Sequence, residues 1–428
     1  MPGQYVGVQT MSAQEAPVVF RRLTQSEVDL ICAKHDRLWA SRPGGARAMF
    51  SWTDLSGLDL AGRNLSDADF TGAILAETRM RGAKLDHANF FGADMQNCDL
   101  TDASLKRADL RGVCLRGANL TGADLFEADL REGAIAAVDK VKGLHMLEPM
   151  KRASEAHGAI LAGANLERSR LSGVVATRAD FTDAVMKDCK LVRANLKQAT
   201  LKGVDLAGAD LSGADLSGAD LRDAVLVGAQ TNACKMDAAN LEGALTDAPA
   251  AKDSEKLPYA EMLREHALWS ETAGDQGTPS VFDKADLRRL GSIRGYNLTA
   301  LSAKGAVFYG LDMEGVQLQG ARLEGADLRA CNLRRADLRG ARLSGAKLAG
   351  ADLREALLGP LIISSDRVLP CDLSGASLRG ADFSGADLRY AVLIRADLTR
   401  TNLNGALLKN AQMPGEEIKD PLGLETVS

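Results

Sequence analysis

Ala209-Asp210-Leu211-Ser212-Gly213-Ala214-Asp215-Leu216-Ser217-Gly218 is two copies of one five-residue unit, and versions of that unit fill most of the chain. A large apolar residue returns at every fifth position, Asp or Asn often stands just before it, and Ala often stands two places before it. Neither regular element accommodates that period. On an α-helix five residues advance about 500°, which winds successive leucines around every face; on a flat strand an odd spacing sends them to alternate sides. A chain that turns a corner once per unit brings them all to one interior. The period therefore predicts a coiled solenoid.

The five places are numbered here so that Ala209 is first, Leu211 third and Gly213 fifth. One register runs from Phe50 to Leu130, through Leu55, Leu60, Leu65, Phe70 and Leu75, and makes 17 units. A second runs from Leu161 to Leu241, again 17 units, with Ala176 and Thr231 falling short of a large apolar third place. The third runs from Leu298 to Met413, 24 units by position with Ala303 as its small centre, after a less regular approach around Leu287 and Ile293. A big and a small side chain per side fill a narrow interior without voids. Short carboxylates and amides at the second place bond nearby backbone at bends. Ser, Thr, Arg, Lys and Gly at the fourth and fifth places suit solvent and tight curvature.

The tandem A(D/N)LxG pattern resembles that of the pentapeptide-repeat proteins over roughly three quarters of the chain. The resemblance implies an all-β solenoid, a right-handed quadrilateral β-helix with four units to a coil, in two or three stacks with short α-helical caps. The 58 units then make about 14 coils, a rod on the order of 70 Å if all are collinear at ~4.8 Å per coil.

Two helical headers precede repeats. Thr24-Gln25-Ser26-Glu27 has the form of a capping box, Val28, Ile31, Cys32, His35, Leu38 and Trp39 follow at helical spacing, and Pro43-Gly44-Gly45 is the expected stop. Pro258 to Gly277 repeats the design with Tyr259, Met262, Leu263, His266 and Trp269. Each helix is expected to cover the open first coil of a β-helix, whose edge otherwise recruits another strand. The expected organisation is a tail and capping helix (1–47), a first block (48–135), a loop or linker (136–158), a second block (159–246), a linker with the second capping helix (247–281), a third block (282–415) and a tail (416–428). Residues 359–370 keep the five-residue count, but Asp366 then occupies a small inward place, where an unpaired carboxylate is costly, so they are expected to form a loop.

Composition narrows the function. The net charge is −5, the pI about 5.7 and aromatics 4%, which excludes a strongly basic nucleic-acid binder and makes the core leucine and alanine. No apolar run is long enough to span a membrane, and the first twenty residues, with Gln4, Gln9, Gln14 and Glu15, do not read as a cleavable signal. Cys98, Cys189, Cys234, Cys331 and Cys371 take first places, as reduced thiols serving for Ala, so the expected compartment is the cytoplasm. No cofactor, metal or catalytic residue is expected: the periodic Asp residues pair by repetition, and the phosphate-loop, zinc-protease, nucleophile-elbow and CxxC motifs are absent. His35 and His266 each stand beside a Trp without further ligands, and are read as imidazoles bonded to a backbone carbonyl at the seam between cap and coil.

The remaining expectation is a non-catalytic scaffold that binds a macromolecule, most simply a protein. Residues 48–132 hold 9 basic and 14 acidic side chains, whereas 287–413 hold 18 and 12. In the latter, Arg329, Arg334, Arg335, Arg339, Arg342, Lys347 and Arg354 form either a solvated face that pairs with the corner aspartates or a basic ladder along one wall for an acidic partner. The alternative is imitation of duplex DNA, as in family members that act on DNA gyrase; the basic third block and the short, Pro-broken tail after Met413 count against it. The coil near Met413 lacks an evident cap, so homodimerisation through a β-helix end is expected there.

Overall fold

The computed structural model describes residues 20–135, 150–247, 259–364 and 367–415. The chain divides into two compact units, Met1–Asp247 and Ala248–Ser428, each with its own apolar core. Second-place residues pair in parallel with second-place residues twenty positions on, as in Asp69–Asn89, Asn89–Asp109 and Arg322–Arg342. Twenty residues are four units, so every coil has four sides. The third-place residues and the small first-place residues point inward, and Leu211, Ala214, Leu216 and Ala219 are fully buried.

Backbone hydrogen bonding explains the composition of the unit. The second-place N–H of Asp69 donates to Ala48 O of the coil before, and the third-place N–H of Phe50 donates to Asp69 O of the coil after. The fifth-place N–H of Gly57 donates to Ala76 O, and the N–H of Leu58 closes the corner on Leu55 O. That leaves the fourth-place N–H. At Ser56 it donates to Asp54 Oδ1 at 2.8 Å, and the same bond recurs from Thr182 to Asp180 and from Ser217 to Asp215. The second-place Asp or Asn thus satisfies the one N–H that neither ladder nor turn reaches. The fifth place has a positive φ, 68° at Gly213 and 69° at Gly218, which is why glycine recurs there.

Three insertions leave the ladder intact. Between Cys114 and Glu155 the pairing interval lengthens to forty-one residues and then returns to twenty, so the ladder passes over twenty-one residues at one corner. Their base is a short antiparallel pair, β3 (Gly133–Ile135) with β4 (Met150–Arg152). The two sequence blocks on either side are therefore consecutive coils of one stack. The expected loop also ends too late: Ser154 to Gly158 is itself a repeat unit, with Glu155 bridging Cys114 and Val175 and Ala156 as its centre. Its small third place hid it. In the second unit one extra residue between Asp286 and Ser292 is taken up by a 3-10 turn, Arg288–Leu290.

The third insertion is ten residues, since Arg342 pairs with Asp372 thirty positions on. The segment expected to be a loop carries an antiparallel pair, β5 (Leu361–Ser364) with β6 (Arg367–Leu369). Asp366 lies outside the described residues. Leu361 packs against the bare corner at Gly340, where a Cβ would come within 2.7 Å of the leucine Cβ. Replacing residues 360–370 with one glycine removes ten residues and supplies a fifth place able to adopt positive φ, which neither Pro360 nor Pro370 can. The ladder is expected to stay in register, with stability changed by less than about 1 kcal/mol in chemical denaturation.

Each unit opens with a helix across its first coil. Helix α1 (Gln25–Trp39) starts at Thr24 with both capping-box bonds present, and buries Val28, Cys32 and His35. It stops at Trp39, before Pro43-Gly44-Gly45, and Leu38 and Trp39 turn out to solvent, Trp39 being 51% exposed, rather than joining the buried stripe. Ahead of it, β1 (Arg21–Arg22) pairs in parallel with β2 (Thr53–Asp54) on the first coil. Gln25 extends this cover with its side chain: Oε1 accepts from Asp59 N and Nε2 donates to Asp59 O, both at 2.9 Å. Helix α2 (Tyr259–Glu271) buries Leu263, His266 and Ala267 over the second unit's first coil. Pro258 lies outside the described residues, and so does the chain beyond Gly415, past the half-buried Met413.

Candidate interaction surfaces

On every wall the second and fourth places face outward in rows one coil apart. Where Asp and Arg occupy them in turn, the guanidinium folds back on the carboxylate: Arg339 Nε and Nη2 lie 2.9 and 2.6 Å from Asp337, and Arg354 lies 2.8 and 2.6 Å from Asp352. Arg329 does the same with Asp327, and this pair is buried. Burial opposes ionisation of Asp352, but bonds from the Arg354 side chain and backbone, and its charge, hold the carboxyl below the usual range. The hydrogen bonds that Arg339 donates to Asp337 raise the Arg339 pKa further. Exposed pairs of this kind contribute about 0–1 kcal/mol each, so they order the surface more than they stabilise it.

The basic ladder expected from sequence does not form. Residues of different units share a wall only when their separation brings them back around the coil, and the seven lie within one stretch of little more than a coil. Arg334 stands over Arg354, because Asn332 pairs with Asp352, and Lys347 pairs with Asp327 beside Arg329; Arg335, Arg339 and Arg342 lie on other places or walls. Arg335 is also paired, with Glu355 at 2.7 Å and Glu314 at 3.7 Å. The other reading of these arginines, pairing with the corner aspartates, is what the i, i+2 spacing of Asp and Arg produces at Arg329, Arg339 and Arg354. A different pair emerges: Arg322 and Arg342 are bridged neighbours, both exposed, and neither makes an ion pair among the described residues. Their wall has glycine at successive corners, Gly305, Gly325 and Gly345, with Gly325 and Gly345 facing open space.

The seven cysteines are free, and six are buried. Cys98, Cys189 and Cys331 each lie against a carbonyl of the preceding coil, Leu75, Leu166 and Phe308, at 3.2, 2.7 and 3.1 Å. Burial pushes the Cys189 and Cys331 thiols up to about 12, which leaves them unreactive core groups. Among the described residues no group of three or more His, Cys, Asp or Glu is placed to hold a metal, and no helix is long and apolar enough to cross a membrane.

These coils define a class, the four-sided β-helix built from five-residue units, and comparison with known proteins gives its family. The pentapeptide-repeat profile matches in 8 copies, over residues 48–86, 64–102, 103–133, 156–188, 189–228, 321–359 and 371–411. The chain belongs to the pentapeptide-repeat family, whose members fold as right-handed quadrilateral β-helices and are generally non-catalytic scaffolds. Among solved structures it is similar to HetL of Nostoc sp. strain PCC 7120, described as involved in heterocyst differentiation regulation, with 25% identity over 90% of this chain and 97% of that one (TM-score 0.19). It is similar to Rfr23 of Cyanothece 51142 with 22% identity over 36% and 91% of the two chains (TM-score 0.26). QnrB1, a plasmid-mediated fluoroquinolone resistance protein, shares 19% identity over 46% and 84% (TM-score 0.15). No curated protein matches.

Proposed function

We propose that the chain is a scaffold that holds an acidic protein partner against the wall of its second unit bearing Arg322 and Arg342. The observation that carries this reading is the contrast between arginines locked onto their own carboxylates, such as Arg339 and Arg354, and this stacked pair without one. A guanidinium that makes no close ion pair keeps its bidentate donors for an external carboxylate; Arg322 acts on Asp283 only through its charge, which lowers that carboxyl's pKa. The ladder fixes the two arginines' backbones one coil apart, so little backbone freedom is lost on binding. The flat glycine corners beside them allow close approach.

The test is affinity purification from the native host with the intact chain, an Arg322→Ser/Arg342→Ser variant and an Arg339→Ser/Arg354→Ser control. The first variant is expected to lose the co-purifying partner by at least tenfold, with the control close to native; equal recovery in all three overturns the assignment. A supercoiling assay with DNA gyrase separates this reading from imitation of duplex DNA, since a protein scaffold leaves the reaction unchanged.

A further inference from the structure

The same device closes the first coil of both units. His35 Nδ1 accepts from the N–H of Ala48, the first residue of its coil, at 3.1 Å. Its other nitrogen turns to the Ser66 carbonyl near the end of that coil. In the second unit His266 Nδ1 accepts from Ser280 N at 3.0 Å, and Nε2 lies 3.1 Å from Thr299 O. The positions correspond, counting the extra residue of the 3-10 turn. Each imidazole therefore joins the start of a coil to its end and fastens a helix across the opening. A neutral ring has one acceptor nitrogen. The indole N–H of Trp39 also points at this ring, 3.1 Å from Nε2, so the two donors compete for the single lone pair; with Nδ1 taken by Ala48, Nε2 carries the proton towards Ser66 O.

Both rings are buried. We infer that His35 and His266 are acid-sensitive latches, and that their protonation frees the first-coil edge to stack on the last coil of a second copy of this chain. A protonated ring has no lone pair on Nδ1, so the amides of Ala48 and Ser280 would face an N–H. Burial lowers both pKa values from the ordinary 6.5. Around His35 the charged groups are Asp36 on α1, Arg47 ahead of the coil and Asp67 on it; the two carboxylates favour the cation and Arg47 opposes it. Around His266 the contacts are Trp269, Ser280 and Thr299, none of them charged, and no charged group is among the causes of its shift.

The sign follows from the lowered pKa. The closed cap is fully favoured above 6.5 and is lost progressively as pH falls below it, by up to about tenfold in the closed–open equilibrium per pH unit and per imidazole. An open cap releases the groups that β1 and Gln25 now cover, among them Asp54 O, Asp59 N and Asp59 O. These are the groups every coil offers to the one before it. Their complement is a last coil, and that of the first unit presents Leu241 at 41% exposure with Met236 and Cys234 half-buried.

The experiment is hydrogen exchange and light scattering on the full chain at about pH 7.5 and pH 5, with a His35→Gln/His266→Gln variant alongside. Glutamine offers one acceptor and one donor at both pH values. In the native chain the amides of α1 and α2 are expected to lose protection at least tenfold at the lower pH, after correction for intrinsic exchange. Its molar mass is expected to rise with concentration there and to return on neutralisation, while the Gln variant stays unchanged. Equal protection at both pH values, no rise in mass, or the same response in both proteins overturns the inference. Imidazole titration by NMR in the native chain keeps the test decisive if the variant fails to fold: pKa values at or above 6.5 for both rings overturn it as well.

Discussion

Phe70→Ala is expected to destabilise the first unit by about 3–5 kcal/mol, read as a shift of its urea unfolding midpoint. Phe50, Phe70 and Phe90 occupy the third place of one wall in successive coils, with ring centroids 5.0 and 4.7 Å apart and planes within 18° and 3° of parallel. All three are fully buried. Removing the middle ring leaves a cavity that touches the coil above and the coil below, and the hydrogen-bonded ladder fixes the spacing so that neither can close it. Coil stability is a nearest-neighbour property, so one lost layer weakens two interfaces. Trp39 and Trp52 report on this unit and Trp269 on the other; a midpoint shifted by less than the equivalent of 1 kcal/mol, or shifted equally in both, contradicts the layered account.

The second large effect is expected from a chain that begins at Arg47. It lacks β1 and α1, and with them the cover over Phe50, Leu55, Leu60 and Leu65, all fully buried in the intact protein. Complete burial of such a side chain is worth about 1.5–3 kcal/mol, so uncovering half of those four forgoes roughly 3–6 kcal/mol. The shortened chain also exposes the edge groups now met by Leu23 N and by both ends of the Gln25 amide. Unmet ladder groups on a flat edge template aggregation. The expected outcome is loss of most soluble protein at neutral pH, measured as the soluble fraction after identical expression. A soluble chain of native midpoint shows that α1 is not a cap.

The core was legible because the five-residue period is also the geometric period. Any residue two places after a small one and just after Asp or Asn must point inward, whichever wall it lies on. The same local logic located the Asp and Asn side chains at bends, the inward cysteines, the capping box at Thr24 and the imidazoles at the seams. Where the local pattern weakened, the reading failed. Ser154 to Gly158 reads as linker because its centre is Ala156, and Trp39 reads as part of the buried stripe because helical spacing alone cannot tell a helix's last turn where the coil beneath it ends.

What the sequence determined by itself is the unit, its inward and outward places and the existence of caps, since each depends on neighbours within a few positions. Only the tertiary structure decided which outward residues share a wall, that an insertion of twenty-one residues leaves one continuous stack, and that the arginines of the third block scatter instead of aligning. The reason is that wall identity is set by separation modulo four units plus every insertion between, a long-range sum no single pentapeptide carries.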